Sequence, residues 1–338
     1  MSQRNLALLG ASGYTGQLIV DYLRSNNLKC RLGGRNTEKI RSQIGDESNL
    51  FDIFEVDLNS EKSIDSFLDG IDTLMTTVGP FSTLGLPAAE GAKRCGTYYV
   101  DSTGEPHFIS HIYENFNDSK KAMVPACGFD YILGDLAGAI ASDDVAKNGD
   151  KVVSVDVLYS VKHMIPTRGT YLSALGAIAN SNDAGKIDTL NFNGKTFHGL
   201  EVPWGENVMI ARRLPDVKIT SRLNVNPTIG KVVGFMTPIV RLGIPLGERL
   251  GRFVPIGPKP EKREKVEYEI FVTAQGKNSS STVYVKGHDI YKSTAFYMVE
   301  SALAIKGKGA ISPSMALDPE PFLHYLVSKE ESLSWERI

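Results

Sequence analysis

A glycine-rich segment near the amino terminus constrains the fold of this chain more than any other feature. Residues 10–16 read Gly-Ala-Ser-Gly-Tyr-Thr-Gly, between an apolar run at residues 5–9 and a segment of helical apolar spacing at 17–23. Glycine at the first position permits a sharp turn out of a strand, and glycine at the last permits close packing of the following helix. The segment therefore predicts a tight strand, turn and helix unit.

The middle glycine, Gly13, leaves no Cβ where a ligand would approach the backbone. Amide groups at the amino end of a helix bind anions, and the helix dipole adds to the attraction. In this position the loop is typical of a dinucleotide diphosphate site, and a glycine-rich turn without a ligand is the alternative. We predict that Gly10, Ser12, Gly13, Tyr14, Thr15 and Gly16 bind the cofactor, Ser12 and Thr15 through their hydroxyls.

Short apolar, β-branched runs alternate with polar segments of helical period through the first 130 residues. The runs lie at residues 5–9, 28–32, 51–56, 72–78, 97–100 and 122–126. Most of the intervening segments are long enough for a crossover helix, so adjacent strands would run parallel. This alternation predicts an α/β fold with a doubly wound parallel sheet of the Rossmann type.

The rhythm changes near residue 134, where a second domain is predicted. Longer alternating runs lie at residues 152–161, 266–273 and 282–285. Alternation with polar residues is typical of an antiparallel sheet with one solvated face. A length of 338 residues is also appropriate for two domains.

The predicted first domain covers residues 1–133 and is completed by C-terminal helices within 294–338. An inserted α+β domain covers residues 134–293, and we predict that it binds substrate or pairs two copies of the chain as a homodimer. Residues 180–264 follow no readable pattern, because Gly, Pro and Asn interrupt every run.

The end of the second predicted strand indicates which cofactor is bound. NAD-preferring sites have an acidic residue about 20 residues after the glycine loop, and residues 22–37 contain no Asp or Glu. Arg35 offers a guanidinium suited to a 2′-phosphate, and we expect Gly33 and Gly34 to leave room for that group. We therefore predict NADP(H), with Arg35 and Asn36 as cofactor residues. A solvated arginine in a turn is the alternative.

Two more strand ends would lie at the carboxyl edge of the sheet, where ligands bind in open α/β folds. Asp57 closes the third strand. It would either contact the adenine or cap the next helix. Val78, Gly79 and Pro80 close the fourth strand in a tight turn suited to the nicotinamide ribose, and a rigid turn without ligand is the alternative.

Five separated segments of the first 135 residues together resemble the saccharopine dehydrogenase-like oxidoreductases, which include mycobacterial trans-acting enoyl reductases. They are Gly10-Ala-Ser-Gly-Tyr-Thr-Gly16, Gly34-Arg35-Asn36, Val78-Gly79-Pro80-Phe81, Tyr99-Val-Asp-Ser-Thr-Gly-Glu105 and Cys127-Gly-Phe-Asp130. The resemblance implies an N-terminal Rossmann domain, an inserted α/β domain and C-terminal helices that return to the first domain. It also implies reduction of imine or enoyl-type double bonds. The chain departs from the family at Tyr131, where Ser-Ile-Pro often follows the aspartate.

Catalytic candidates lie on the loops after the fifth and sixth strands, because these strand ends face the cofactor cleft. They are Asp101, Asp130 and Tyr131, with Glu105 beside them. Capping of a helix is the alternative for each aspartate. We predict an NADP(H)-dependent reductase acting on a C=C, C=N or C=O group of a small or lipid-derived substrate. A non-catalytic NADPH-binding sensor or scaffold at a lipid surface is the alternative.

Composition limits the partners. Lys and Arg number 37 against 39 Asp and Glu, so the net charge of −2 disfavours nucleic acid. Three scattered cysteines fit a reducing compartment, no metal site is predicted, and the chain reads as cytoplasmic. Residues 230–253 form an apolar patch with basic flanks. This patch would be buried in the core, form a dimer interface or contact a membrane surface.

Overall fold

The structure is a computed structural model that describes residues 4–45, 49–164, 186–226 and 257–338. The apolar patch at residues 230–253 lies outside the described residues. The chain forms two compact units, the first comprising Met1–Ile132 and Tyr291–Leu317 and the second Leu133–Ile290 and Asp318–Ile338. Within the described residues, no helix has the length and apolar character needed to cross a membrane.

Strands and helices are numbered in chain order. The strands are β1 (Leu6–Leu9), β2 (Cys30–Gly34), β3 (Phe51–Glu55), β4 (Thr73–Thr76), β5 (Tyr98–Asp101), β6 (Ala122–Val124), β7 (Val152–Lys162), β8 (Ile187–Phe192), β9 (Lys195–Glu201), β10 (Lys218–Asn224), β11 (Glu267–Gly276), β12 (Ser280–His288), β13 (Gly309–Ala310) and β14 (Ser334–Arg337). The helices are α1 (Tyr14–Ser25), α2 (Thr37–Ile44), α3 (Glu61–Leu68), α4 (Phe81–Leu84), α5 (Leu86–Cys95), α6 (Pro106–Asn115), α7 (Ile132–Lys147), α8 (Glu206–Arg213), α9 (Pro260–Arg263), α10 (Ile290–Ala304), α11 (Pro313–Ala316) and α12 (Pro319–Lys329).

The first unit is built on a parallel sheet of seven strands in the order β3, β2, β1, β4, β5, β6, β13. Strands β1 and β4 are apolar or small throughout and fully buried, as in a sheet covered by helices on both faces. The predicted doubly wound α/β sheet is therefore confirmed. The strand order reverses direction between β1 and β4, which is where ligands bind in such sheets.

Local sequence determines where the helices of the first unit begin. The Asn36 side chain accepts a hydrogen bond from the Lys39 amide at 2.8 Å and caps α2, and the Ser60 side chain caps α3 in the same way. Helix α1 has no such side-chain cap at Gly13. Its apolar face is fully buried at Ile19 and Leu23, which fixes the helix on the sheet.

The second unit contains a mixed sheet in the order β14, β12, β11, β7, β10, β9, β8. The three predicted strands β7, β11 and β12 pair antiparallel as expected, whereas β10, which was not predicted, runs parallel to β7. Parallel neighbours need a crossover connection, and helix α8 stands just before β10 on that connection. Strands β8 to β10 and helix α8 arise from the stretch that gave no readable sequence pattern.

The prediction of one solvated face was wrong at the centre of this sheet. Successive residues of a strand point to opposite faces, yet Ile270, Phe271 and Val272 on β11 are all buried. Phe271 packs with Leu158 and Tyr284 on one face, where its ring stacks on Tyr284 with the centroids 4.6 Å apart. Both faces are therefore covered along the middle strands.

The carboxyl end of the chain differs from its predicted place. The sequence pattern predicts that residues 294–338 belong to the first domain, whereas residues 318–338 form part of the second unit. The edge of the second sheet offers unpaired backbone groups, and β14 pairs there with β12. Arg337 then forms ion pairs with Asp144 and Glu320, which hold this terminus on its own unit.

Candidate functional site

The glycine loop is tied to the ends of three strands of the first sheet. The amides of Gly10 and Ala11 donate to the Gly33 carbonyl at the end of β2, at 3.0 and 3.3 Å. The Thr77 amide, just after β4, donates to the Leu9 carbonyl at 3.0 Å. The loop therefore lies at the point where the strand order reverses, with the ends of β2 and β4 beside it.

Two of the three loop glycines are required by close contact. Gly10 has a φ of +94°, and a Cβ there would lie 2.8 Å from the Thr77 hydroxyl oxygen. At Gly16 a Cβ would lie 2.2 Å from the Gly10 carbonyl oxygen, because the first turn of α1 packs directly on the loop. These glycines make the tight turn and let the helix approach.

Gly13 differs, because the space outside it is open. It is exposed, and a Cβ there would meet only the Gly10 carbonyl oxygen, at 3.3 Å. The first amides of any helix lack partners within the helix, and the N-cap residue of α1, Gly13, has no side chain to cap them. With the half-buried hydroxyls of Ser12 and Thr15 beside them, these donors fit the diphosphate of a dinucleotide.

Arg35 is exposed one residue beyond the end of β2, and its side chain makes no hydrogen bond or ion pair with a described residue. The expectation that the two preceding glycines leave room for a phosphate was wrong. A Cβ on Gly33 would lie 2.7 Å from the Phe67 ring, and one on Gly34 would lie 3.2 Å from Ile40. Both glycines serve to pack α3 and α2 against the strand.

The other residues predicted at this end of the sheet make local contacts. The Asn36 side-chain oxygen is used to cap α2, as described above. The Asp57 carboxylate accepts from the Asn59 amide at 2.9 Å and from its side chain at 3.1 Å, which forms a turn. The cap of α3 is Ser60, so Asp57 does not fill the capping role. Its exposed position leaves contact with an adenine as a prediction.

The turn after β4 contacts the glycine loop. A Cβ built on Gly10 would lie 3.0 Å from the Val78 side chain, and Gly79 and Pro80 are exposed. The Glu105 carboxylate accepts from the Phe81 amide at 2.8 Å and from the Ser82 amide at 2.9 Å. Glu105 therefore anchors the amino end of α4 and fixes this turn, and its charge is not free for a substrate.

Asp101, at the end of β5, is completely buried and bonded on both oxygens. Its Oδ1 accepts from the Thr103 amide at 2.9 Å and the Ala126 amide at 2.8 Å, and its Oδ2 accepts from the Tyr99 hydroxyl at 2.7 Å. Burial raises its pKa to about 6, although these hydrogen bonds act in the opposite direction. Asp101 joins the loops after β5 and β6, and these contacts do not support the predicted catalytic role.

Asp130 and Tyr131 follow β6 and have different surroundings. The buried Tyr131 hydroxyl donates to the Gly104 carbonyl at 2.9 Å, so it ties two loops together. Asp130 is exposed and accepts no hydrogen bond from a described residue. Solvent reaches its carboxyl, yet surrounding protein removes part of its hydration and raises its pKa to about 6. Of the three predicted catalytic residues, Asp130 alone has an uncommitted carboxylate among the described contacts.

No family model matches the chain. A trans-acting enoyl reductase of Mycobacterium bovis is 23% identical over a 389-residue alignment that covers 93% of each chain. A trans-acting enoyl reductase of Mycobacterium ulcerans is 29% identical over 140 residues. The chain spans about a third (34%) of the length of the curated relatives that it matches at 29 to 30% identity.

The apo saccharopine dehydrogenase (L-Glu forming) of Saccharomyces cerevisiae is 12% identical with a TM-score of 0.66, covering 99% of this chain and 100% of that one. These likenesses support a saccharopine dehydrogenase-like family for the chain.

The sequence prediction named neither Thr77 nor Thr294 as a site residue. Thr77 contacts the glycine loop, and the Thr294 hydroxyl on α10 accepts from the Phe129 amide at 3.1 Å. Tyr291 on the same helix packs edge to face on Tyr14, with ring centroids 5.6 Å apart. The only sequence signal for these contacts is the family-like helix that contains Thr294, and that resemblance does not reveal which loop the helix touches.

Proposed function

We propose that the chain is an NADP(H)-dependent reductase that reduces a C=C, C=N or C=O group of a small or lipid-derived substrate. The observation that carries the proposal is the Arg35 guanidinium, which has no partner among the described residues and follows a strand end without the acidic residue of NAD-preferring sites. The relatives named trans-acting enoyl reductase and the fold shared with a saccharopine dehydrogenase support reductase chemistry.

The residues of the site divide the work of such a reaction. The amides at the start of α1, with Ser12 and Thr15, would bind the diphosphate, and Arg35 would bind the 2′-phosphate. When bound, the nicotinamide supplies the hydride. Reduction also consumes one proton. Asp130 would hold that proton and donate it to one atom of the substrate double bond, while the other atom accepts the hydride. A pKa near 6 keeps part of this carboxyl protonated close to neutral pH.

Replacing Arg35 by alanine tests the choice of cofactor. We expect Arg35→Ala to weaken NADPH binding about 10- to 100-fold, because a charge-assisted contact contributes roughly 1.5–3 kcal/mol. Binding of NADH should not change, since NADH has no 2′-phosphate. Fluorescence titration of both cofactors against the wild type and the variant gives the comparison.

Arg41 is a matched control for this variant. It is also exposed and unpaired among the described residues, but it lies on the last turn of α2 rather than at the end of the strand. Arg41→Ala should leave the affinity for both cofactors unchanged. Tighter wild-type binding of NADH than of NADPH, or equal loss in the two variants, would contradict the NADP(H) assignment.

Replacing Asp130 by asparagine tests the proton donor. The acid must be protonated to act, so kcat/KM for NADPH oxidation should fall as the pH rises above about 6. Asp130→Asn should lower kcat/KM roughly 100-fold or more and remove this limb of the profile. A panel of enones, imines and ketones provides the acceptors. An unchanged profile in the variant would exclude Asp130 as the donor, and NADPH binding without oxidation of any panel member would favour the non-catalytic alternative.

A further inference from the structure

The residues on both sides of Asp130 are held by hydrogen bonds, while its own carboxyl accepts none from a described residue. Tyr131 follows it and is bonded to the Gly104 carbonyl at 2.9 Å. Phe129 precedes it and donates its amide to Thr294 at 3.1 Å. A Cβ added to Gly104 would lie 3.2 Å from Asp130 Oδ2, so the carboxyl stands directly over the bare backbone of that glycine.

The contact with Thr294 joins two residues that are 165 positions apart in sequence. The chain leaves the first unit after Ile132, forms most of the second unit and returns at Tyr291. Thr294 stands one turn into α10 and reaches the loop that leads into α7. It therefore supplies an acceptor to an amide just before the start of α7, where helices leave their first amides unpaired.

The methyl group of Thr294 also contacts this turn. A Cβ built on Gly128 would lie 3.2 Å from Thr294 Cγ2 and 3.6 Å from Ser102 Cβ. Gly128 thus lets α10 approach the loop closely while the hydroxyl takes the next amide. Both groups of the threonine side chain, the hydroxyl and the methyl, fix the position of residues 128–130.

We propose that Thr294 is a positioning residue, which holds the turn at residues 128–130 so that the Asp130 carboxyl stays over Gly104 and directed at the substrate. This inference rests on the proposed function of Asp130 as proton donor. Thr294 acts through the backbone of Phe129 and touches no reacting atom. Its removal should therefore lower kcat/KM while the affinity for NADPH is unchanged.

Two substitutions separate the hydroxyl from the shape of the side chain. Thr294→Val removes the acceptor and keeps the branched shape, and we expect kcat/KM to fall about 10- to 100-fold as the donor loses its alignment. Thr294→Ser keeps the acceptor and should restore most of the rate. In the Asp130→Asn background, Thr294→Val should have no further effect, because the group that it positions is already absent.

A titration of the Asp130 carboxyl gives a readout that does not need a substrate. Carbon-13 labelling of aspartate, with Asp130→Asn to assign the signal, should show a lower Asp130 pKa in Thr294→Val, since a looser turn restores hydration that the surrounding protein now removes. Gly128→Ala is a second variant that displaces Thr294 by contact with its methyl, and it should shift the pKa in the same direction.

The outcomes distinguish this inference from the proposed function. The positioning role would be overturned if the Asp130 pKa in Thr294→Val equalled that of the wild type. It would also be overturned if Thr294→Val lowered kcat/KM equally in the wild type and in Asp130→Asn. If the wild type fails to oxidise NADPH with every acceptor of the panel, the proposed function fails. The titration still decides whether Thr294 controls the pKa of the Asp130 carboxyl.

Discussion

Replacing Gly16 by alanine is expected to prevent stable folding of the first unit. The added Cβ would lie 2.2 Å from the Gly10 carbonyl oxygen and 3.0 Å from the Ala11 backbone. These atoms cannot retreat, because the Gly10 and Ala11 amides are bonded to Gly33. Overpacking typically costs 1–3 kcal/mol when side chains can move, so a backbone clash should cost more than about 3 kcal/mol. Thermal unfolding and circular dichroism measure this loss.

Gly13→Ala is the matched comparison within the same loop. Its φ of −78° is accessible to alanine, and the nearest atom to the new Cβ would be the Gly10 carbonyl oxygen at 3.3 Å. The free energy of unfolding should change by no more than about 1 kcal/mol. NADPH binding should nevertheless be lost, since the methyl would occupy the space proposed for the diphosphate. A stable Gly16→Ala protein, or full NADPH affinity in Gly13→Ala, would contradict these assignments.

Asp101→Ala is expected to destabilise the protein by about 3–5 kcal/mol without any direct role in chemistry. Loss of the carboxylate leaves two buried amides and the Tyr99 hydroxyl without their acceptor, and each such group costs roughly 1–3 kcal/mol. Asp101→Asn should cost less, because the amide oxygen can still accept from the Thr103 and Ala126 amides. Urea denaturation of both variants provides the comparison.

The pH dependence of stability should report the same carboxyl. The folded-state pKa of Asp101 is about 6, above its ordinary value of 3.8, so between these values the folded state binds more protons than the unfolded state. Its contribution to stability is therefore complete below about pH 4, is lost as the pH rises to about 6, and amounts to at most about 3 kcal/mol. Asp101→Asn should make the wild-type slope in this window shallower. A variant as pH-sensitive as the wild type would show that another group is responsible.

The first sheet could be predicted because its strands are short apolar runs that follow one another in order. The glycine loop was readable because its glycines and the helix that follows it form one local sequence pattern. The strand β14 was not predicted, because its partner strand β12 lies far earlier in the sequence. Residues 195–224 form two strands and a helix without a clear sequence pattern, and the strands are stabilised by tertiary pairing.

At the candidate site, sequence patterns place the acidic residues on the loops after the parallel strands but cannot rank them. Asp101, Glu105 and Asp130 all follow parallel strands and therefore lie at one edge of the sheet. Which carboxylates are already bonded depends on amides from other loops, such as the Phe81 amide at Glu105. Gly33 shows the same limit, since the Phe67 ring that requires it belongs to a helix about 30 residues later.

The return of α10 to the first unit has a consequence for synthesis. Arg4 and Thr73 both donate to the Ala302 carbonyl, and β13 extends the sheet beside β6. Residues 4 and 302 meet only after nearly the whole chain has left the ribosome. The first unit therefore completes its contacts only late in synthesis, although most of its sheet is translated first. A nascent chain halted before residue 291 would have the glycine loop but not the helix that packs against it.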